Sequence, residues 1–180
     1  MGKDARRKLT GDGQKSSLNS KMPQEKILQV HASDEGLIQQ IANWYLAEWD
    51  IPIARTTQRL ATHPGNNDML FQFLILADGK PVTTGGLSNH VGLLEAHPSL
   101  QIYKPWVSLL YTTVDYRNQG LGRQLLERIE AESLKLGYEQ LYLHTFTAES
   151  LYKRLGWKGI DVADYKNHKT VVMTKQLNPT

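Results

Sequence analysis

The sequence predicts an α/β (α+β) domain built on a single mixed central sheet with helices on its faces. Three observations predict it. Short strand-like runs alternate with amphipathic helical runs from residue 27 onward, an Asp-Gly hairpin joins two of the strands, and a glycine turn near residue 120 leads from a strand into a long helix. A length of 180 residues suits one such domain over 23–180, preceded by a short tail.

Ile27–Val30 reads as a short strand. Ser33, Asp34 and Glu35 suit a helix N-terminus, and Ile38, Ile41, Tyr45 and Trp49 follow at three- and four-residue steps, the period of one buried helix face. Pro52 ends that helix, Ala54–Leu60 forms a shorter one, and His63–Asn67 is a polar loop. Phe71–Ala77 and Val82–Leu87 flank Asp78-Gly79-Lys80-Pro81, where Asp-Gly supplies the positive dihedrals of a tight hairpin. The segment Ser88–Ser99, rich in Gly, His and Asn, is expected to be loop, and Trp106–Val114 a strand. From Leu121, the positions Leu125, Leu126, Ile129, Leu134 and Leu136 mark a long helix that Gly137 ends. Gln140–His144 is a strand, Ala148–Leu155 a helix ended by Gly156, and strands near Asp161 and over Thr170–Gln176 close the order.

Composition bounds the chemistry. With 40% hydrophobic residues, 22% charged and four Trp, the chain has apolar mass for a core. It has no Cys, which excludes disulfides, thiolate zinc sites, iron–sulfur clusters and a cysteine nucleophile. No His, Asp and Glu cluster has metal-ligand spacing, so no metal is expected. Phe73–Ala77 is the longest purely apolar run, too short to span a bilayer, and the first twenty residues lack a secretory apolar stretch. A soluble, cytoplasmic protein with no membrane partner is expected.

The net charge of +3 is unevenly placed. Residues 1–22 hold Lys3, Arg6, Arg7, Lys8, Lys15 and Lys21 against Asp4 and Asp12, leaving 15 basic and 16 acidic residues for the rest. Few apolar residues and no periodicity make 1–22 a basic tail expected to be disordered. Such a cluster supplies only non-specific attraction to polyanions, and no nucleic-acid partner is expected.

The informative segment is Val114-Asp115-Tyr116-Arg117-Asn118-Gln119-Gly120-Leu121-Gly122-Arg123. Its glycines let the backbone turn tightly and approach a ligand, and the helix that follows adds unpaired N–H groups and a positive dipole end. With Arg117 and Arg123 beside it, this makes a site for a pyrophosphate; a plain strand–helix turn is the alternative reading of the same glycines. The dinucleotide fingerprint is excluded because its third Gly falls on Leu125, and a P-loop because Gly-Lys-Ser/Thr is absent.

Arg117-x-x-Gly120-x-Gly122 after a strand, with Leu151-Tyr152-x-x-Leu155-Gly156-Trp157 about thirty residues on, resembles the GNAT superfamily of acetyl-CoA-dependent N-acetyltransferases. The resemblance is specific from Trp106 to Trp157 and holds in outline elsewhere. It implies a mostly antiparallel acyl-CoA N-acyltransferase fold and acetyl-CoA as co-substrate. It further implies that the backbone of Leu110, Tyr111 and Thr112 pairs with the pantetheine arm. Arg117, Asn118, Gln119, Gly120, Leu121, Gly122 and Arg123 would hold the pyrophosphate, and Tyr152 would protonate the departing thiolate; a core Tyr on an amphipathic helix is the other reading of Tyr152. One departure stands out. Many members place an Asn between the fifth strand and the Tyr helix, whereas this chain has Thr145-Phe146-Thr147, where either hydroxyl could substitute or Thr147 could cap the helix.

Acetyl transfer to an amine also needs a group to take the amine's proton. His144 is the sharpest candidate, because alternation sets it with Tyr142, opposite Leu141 and Leu143, at the end of the fifth strand. A hydrogen-bonded His without a catalytic role fits the same position, and Glu48, Glu95, His90 and His97 are alternates. Trp44, Trp49 and Trp106 suit either an acceptor pocket or the core.

Residues 23–113 carry five basic and eight acidic side chains, and residues 114–180 carry ten and eight. An anionic coenzyme on the second half and a cationic acceptor on the first fit that division, as would solvated helix faces. The expected function is acetyl transfer to a primary amine of a small cationic molecule. The alternatives are a protein N-terminus or lysine as acceptor, or a non-catalytic acyl-CoA-binding sensor. The partners expected are the amine acceptor, small molecule or peptide, and, in a homodimer, a second copy of the chain.

Overall fold

The computed structural model describes residues 24–63 and 68–178; the basic tail 1–22 and most of the polar loop before β2 lie outside the described residues. Its sheet is built from β1 (Glu25–Gln29), β2 (Met69–Ala77), β3 (Lys80–Ser88), β4 (Trp106–Thr112), β5 (Gln140–Thr145), β6 (Lys158–Tyr165) and β7 (His168–Gln176). The seven strands lie in the order β1-β2-β3-β4-β5-β7-β6, antiparallel throughout except where β4 meets β5. The helices are α1 (Glu35–Trp49), α2 (Ile53–Ala61), α3 (Leu93–Ala96), α4 (Leu121–Lys135) and α5 (Glu149–Arg154).

Local chemistry accounts for the element ends. The Asp34 carboxylate accepts the His31 backbone N–H at 2.8 Å ahead of α1, and Asp50, with φ +56°, closes it through its N–H to the Leu46 carbonyl, with the Ile51 N–H returning to the Tyr45 carbonyl. Asp78 (φ +48°) and Gly79 (φ +78°) form the hairpin between β2 and β3 that Asp-Gly predicts. Gly137, at φ +85°, ends α4, with the Tyr138 N–H returning to the Ser133 carbonyl.

Alternation along the central strands divides the core between two faces. Phe71, Phe73 and Ile75 pack with Leu125, Ile129, Leu141, Leu143, Trp157 and Met173 beneath α4. Leu74 faces the other way and packs with Ile38, Ile41, Tyr45 and Leu60 from α1 and α2. Burying both faces of β2 suits its nearly unbroken apolar run.

The segment expected as loop over 88–99 is more ordered than its composition suggests. It holds α3 and runs into a 3-10 turn, Pro98–Ile102. Val91, Leu93, Leu94 and Leu100 bury against Trp106, Ala163 and Val172, and this long-range packing overrides the local Gly and His signal.

Candidate active site

The site begins where β4 and β5 part. Parallel pairing joins the two strands only at Trp106 and Tyr142, with the Tyr142 N–H donating to the Pro105 carbonyl at 3.0 Å. Past that pair the edge of β4 facing β5 has no strand partner. A cavity of about 1180 Å³ opens there, lined by Leu109 and Leu110 of β4, by His144 and Thr145 of β5, by Tyr152 of α5 and by the end of α1.

β4 is also kinked. Leu109 has φ +53°, an uncommon conformation for a side chain of its size, and the register with β3 slips between Thr84 and Gly86. The Tyr45 hydroxyl donates to the Leu109 carbonyl at 3.0 Å. Nothing in the sequence marks this bulge, because no glycine stands at 109.

His144 and Tyr152 are brought to one cavity. His144 lies on the Tyr142 face of β5, and its ring meets Trp106 and Tyr165 edge-on at centroid distances of 6.1 and 5.8 Å. Burial lowers its imidazole to about 4, so the ring is neutral at physiological pH. Tyr152 packs edge-on against Trp157, 6.1 Å between centroids. Burial pushes its phenol up to about 12 and keeps the proton on it.

The glycine turn leaves the end of β4 through a 3-10 turn, Val114–Tyr116. Asn118 (φ +61°) and Gly120 (φ +86°) take left-handed conformations, and Gly120 precedes α4 with no side-chain cap. The first N–H groups of α4, at Leu121, Gly122 and Arg123, therefore have no capping side chain. A Cβ at Gly120 would meet nothing within 4 Å, and one at Gly122 would meet only the Thr112 hydroxyl at 3.7 Å. Thr113 Oγ1 and Gln124 Oε1 are buried at this junction without hydrogen-bond partners. Uncapped amides, open space beside two glycines and an unpaired β4 edge fit a pyrophosphate with an extended arm.

Other candidates fall elsewhere. The Arg117 side chain turns away from the phosphate turn: its Nε donates to the Thr112 carbonyl at 2.9 Å, its Nη2 pairs with Glu48 at 3.1 Å, and its guanidinium covers the Tyr111 ring. Arg123 pairs with Glu127 at 2.7 Å on the exposed face of α4. The Gln119 amide donates to the Asp115 carbonyl within the turn. Tyr111 packs against Trp44 and Trp49, and Thr112 against the Thr83 hydroxyl, so only their backbone remains for a coenzyme arm.

Thr145 Oγ1 accepts the Ala148 N–H at 3.0 Å, so Thr145, rather than Thr147, caps the entry to α5. Both threonines line the cavity. Glu95 also lines it, but Arg55 binds its carboxylate and holds it below the usual range, so its oxygens are engaged in an ion pair. His90 lies 3.7 Å from Glu95, and His97 hydrogen-bonds the Asp164 carbonyl at 2.7 Å. Among the tryptophans, Trp106 is fully buried, Trp44 packs on Tyr111 and Trp49 lines the cavity.

Two lining residues carried no sequence signal. Asp50, just past α1, faces the cavity, and among the described residues its carboxylate makes no ion pair. Lys166, in the turn between β6 and β7, donates to the Trp49 carbonyl at 3.3 Å and so ties that turn to the end of α1. Among the described residues no His, Asp and Glu group could hold a metal ion, and no helix is long and apolar enough to cross a membrane.

Comparison with known proteins agrees with this geometry. Residues 71–159 match the family model for the acetyltransferase (GNAT) domain. No curated protein matches the sequence. An aminoglycoside 6′-N-acetyltransferase complexed with coenzyme A superposes with a TM-score of 0.67 at 14% identity, over 86% of this chain and 98% of that one. The ribosomal-protein-S18-alanine N-acetyltransferase from Escherichia coli gives 0.63 at 19% identity, over 87% and 96%. Ard1 from Thermoplasma volcanium gives 0.64 at 15%, over 86% and 99%. At such identities these structures share the fold. With the domain model lying from β2 to the start of β6, over the splayed strands and the glycine turn, the chain belongs to the GNAT superfamily and is an acetyl-CoA-dependent N-acetyltransferase.

Proposed function

We propose that this enzyme moves the acetyl group of acetyl-CoA directly to a primary amine of a small cationic molecule. The observation that carries this reading is Asp50, a carboxylate without an ion pair among the described residues, lining the cavity that also holds His144 and Tyr152. Beside a reacting amine, such a carboxylate attracts a second ammonium on the same acceptor. Size is limited by the Lys166 bond to the Trp49 carbonyl and by Tyr165, whose hydroxyl would stand 2.5 Å from a Cβ on Gly92. The first closes the approach between α1 and the β6–β7 turn and the second the approach between β6 and the segment before α3, which favours a compact acceptor over an extended peptide.

Acetyl-CoA supplies the acetyl group and departs as the thiol. The chain's own residues bind, orient and move protons. The amides at the start of α4 hold the pyrophosphate, with the backbone of Leu110–Thr112 along the arm. Neutral His144 takes the proton that the amine nitrogen sheds as it bonds to carbon, when that nitrogen has become far more acidic than a free ammonium. Tyr152 gives its proton to the departing sulfur. Both groups suit these roles, the first by being unprotonated and the second by staying protonated.

Free-thiol release from acetyl-CoA, measured against polyamines, aminoglycosides and peptides with free N-termini or lysines, tests the reading. Turnover on the small polycations supports it. Turnover confined to peptides would overturn it. The proteins sharing the fold are named for both kinds of acceptor, an aminoglycoside in one case and a ribosomal-protein alanine in another.

A further inference from the structure

We propose that Tyr45, oriented by Gln72, is a positioning residue that fixes the Leu109–Leu110 peptide of β4 so that the Leu110 N–H faces the coenzyme arm. This rests on the reading of Leu110 as a backbone contact of acetyl-CoA.

The hydrogen bonds run in one direction, and every proton is accounted for. The Thr84 hydroxyl donates to the Phe73 carbonyl at 2.9 Å and accepts from Gln72 Nε2 at 2.7 Å. The second proton of the Gln72 amide goes to the Tyr45 oxygen at 2.9 Å. With its lone pair so engaged, the Tyr45 hydroxyl has its single proton for the Leu109 carbonyl at 3.0 Å. Tyr45, Gln72 and Thr84 are all buried, and burial raises the Tyr45 phenol so that it stays a donor.

The chain of bonds ends at the kink. Leu109 sits at φ +53°, a conformation unfavourable for a non-glycine residue that persists only where its surroundings hold it. Because the peptide is planar and trans, fixing the Leu109 carbonyl toward Tyr45 also fixes the Leu110 N–H in the opposite sense. Leu109 and Leu110 both line the cavity. Two glycines make room for the arrangement: a Cβ on Gly86 would collide with Gln72 Oε1 and the Phe71 carbonyl, and one on Gly85 would stand 2.9 Å from the Leu110 side chain.

The test compares Tyr45→Phe, which removes only the hydroxyl, with Ser133→Ala, which removes a buried hydrogen bond in the last turn of α4, outside the chain of bonds that reaches Leu109. Calorimetry with coenzyme A should show Tyr45→Phe weakened roughly three- to tenfold, the worth of one hydrogen bond, and Ser133→Ala unchanged. Gln72→Leu, which leaves the phenol unoriented, should move in the same direction as Tyr45→Phe. In ¹⁵N-labelled protein without ligand, the Leu110 amide resonance should shift in Tyr45→Phe and stay in place in Ser133→Ala. Equal affinity of Tyr45→Phe and the native chain would overturn the proposal, as would equal losses in Tyr45→Phe and Ser133→Ala. A native chain that binds no coenzyme A would instead remove the reading of Leu110 as a coenzyme contact. The Leu110 resonance would then still decide whether Tyr45 sets that peptide.

Discussion

Trp106 on β4 stands opposite Tyr142 on β5, and this pair alone joins the two strands in parallel. Trp106 is fully buried among Leu93, Leu94 and Val172, so the closed end of the cleft is anchored by the core, and the cleft widens away from it. The groups that bear the chemistry lie on the open side. Of these, Tyr152 packs on Trp157, whereas the His144 ring packs on Trp106 itself, so that a substitution at His144 also reaches the anchor.

Gly120→Val should strain the phosphate turn and weaken coenzyme binding together. At φ +86° a β-branched side chain costs about 1–2 kcal/mol or more, and its methyls would occupy the open space beside the α4 amides. Calorimetry with coenzyme A should show at least a tenfold loss in a folded Gly120→Val protein. Unchanged affinity would remove the phosphate role of this turn.

Tyr152→Phe should lower kcat by roughly 10²-fold while leaving acetyl-CoA affinity nearly intact. The ring keeps its packing on Trp157, whereas the hydroxyl acts only as the thiol leaves. Steady-state rates beside calorimetric affinities check the split, and equal rates in the two proteins would make Tyr152 a packing residue.

His144 has two pH signatures. With its imidazole at about 4, the rise of kcat/KM between about pH 6 and 9 belongs to the acceptor amine and should survive in His144→Ala, at a rate lowered roughly 10²-fold. A limb near pH 4 should disappear. For stability, the unfolded chain binds this proton below about 6.5 and the folded chain only below about 4. The native His144 contribution is therefore full above about 6.5 and is lost as pH falls toward 4. Urea midpoints of the native protein and His144→Ala should converge over that window, and a constant gap would contradict the neutral, buried imidazole.

Asp50→Asn should raise KM for a diamine roughly tenfold and leave kcat and the KM of a matched monoamine unchanged. Asn tolerates the left-handed conformation at this position, so the backbone at the end of α1 is retained. Identical effects on monoamine and diamine would show that Asp50 does not select a second ammonium.

Much of the site was legible because it obeys local rules. Gly120 announces a left-handed turn before a helix, and the β-strand period puts His144 opposite Leu141 and Leu143. The helical run ending at Gly156 carries Tyr152 into the site. Local reading also had limits at Thr145 and Thr147, where two hydroxyls either side of Phe146 are equivalent in sequence and only the bond from the Ala148 N–H to Thr145 tells them apart. The Gly- and His-rich stretch before Trp106 reads as loop until its leucines find Val172 and Ala163.

By itself, the sequence determined the order of strands and helices outside residues 88–99, the glycine turn before α4 and the placing of His144 on a strand and Tyr152 on a helix, because dihedral demands and hydrophobic periods act within a few residues. Only the tertiary structure decided the rest. It bent β4 at Leu109, turned Arg117 toward Glu48, set Asp50 at the cavity and tied Lys166 to the end of α1. The Tyr45 bond to Leu109 spans 64 residues and the Lys166 bond to Trp49 spans 117. Such contacts carry no local preference, since closing loops of that length costs entropy that only the packed sheet and its two helical layers offset.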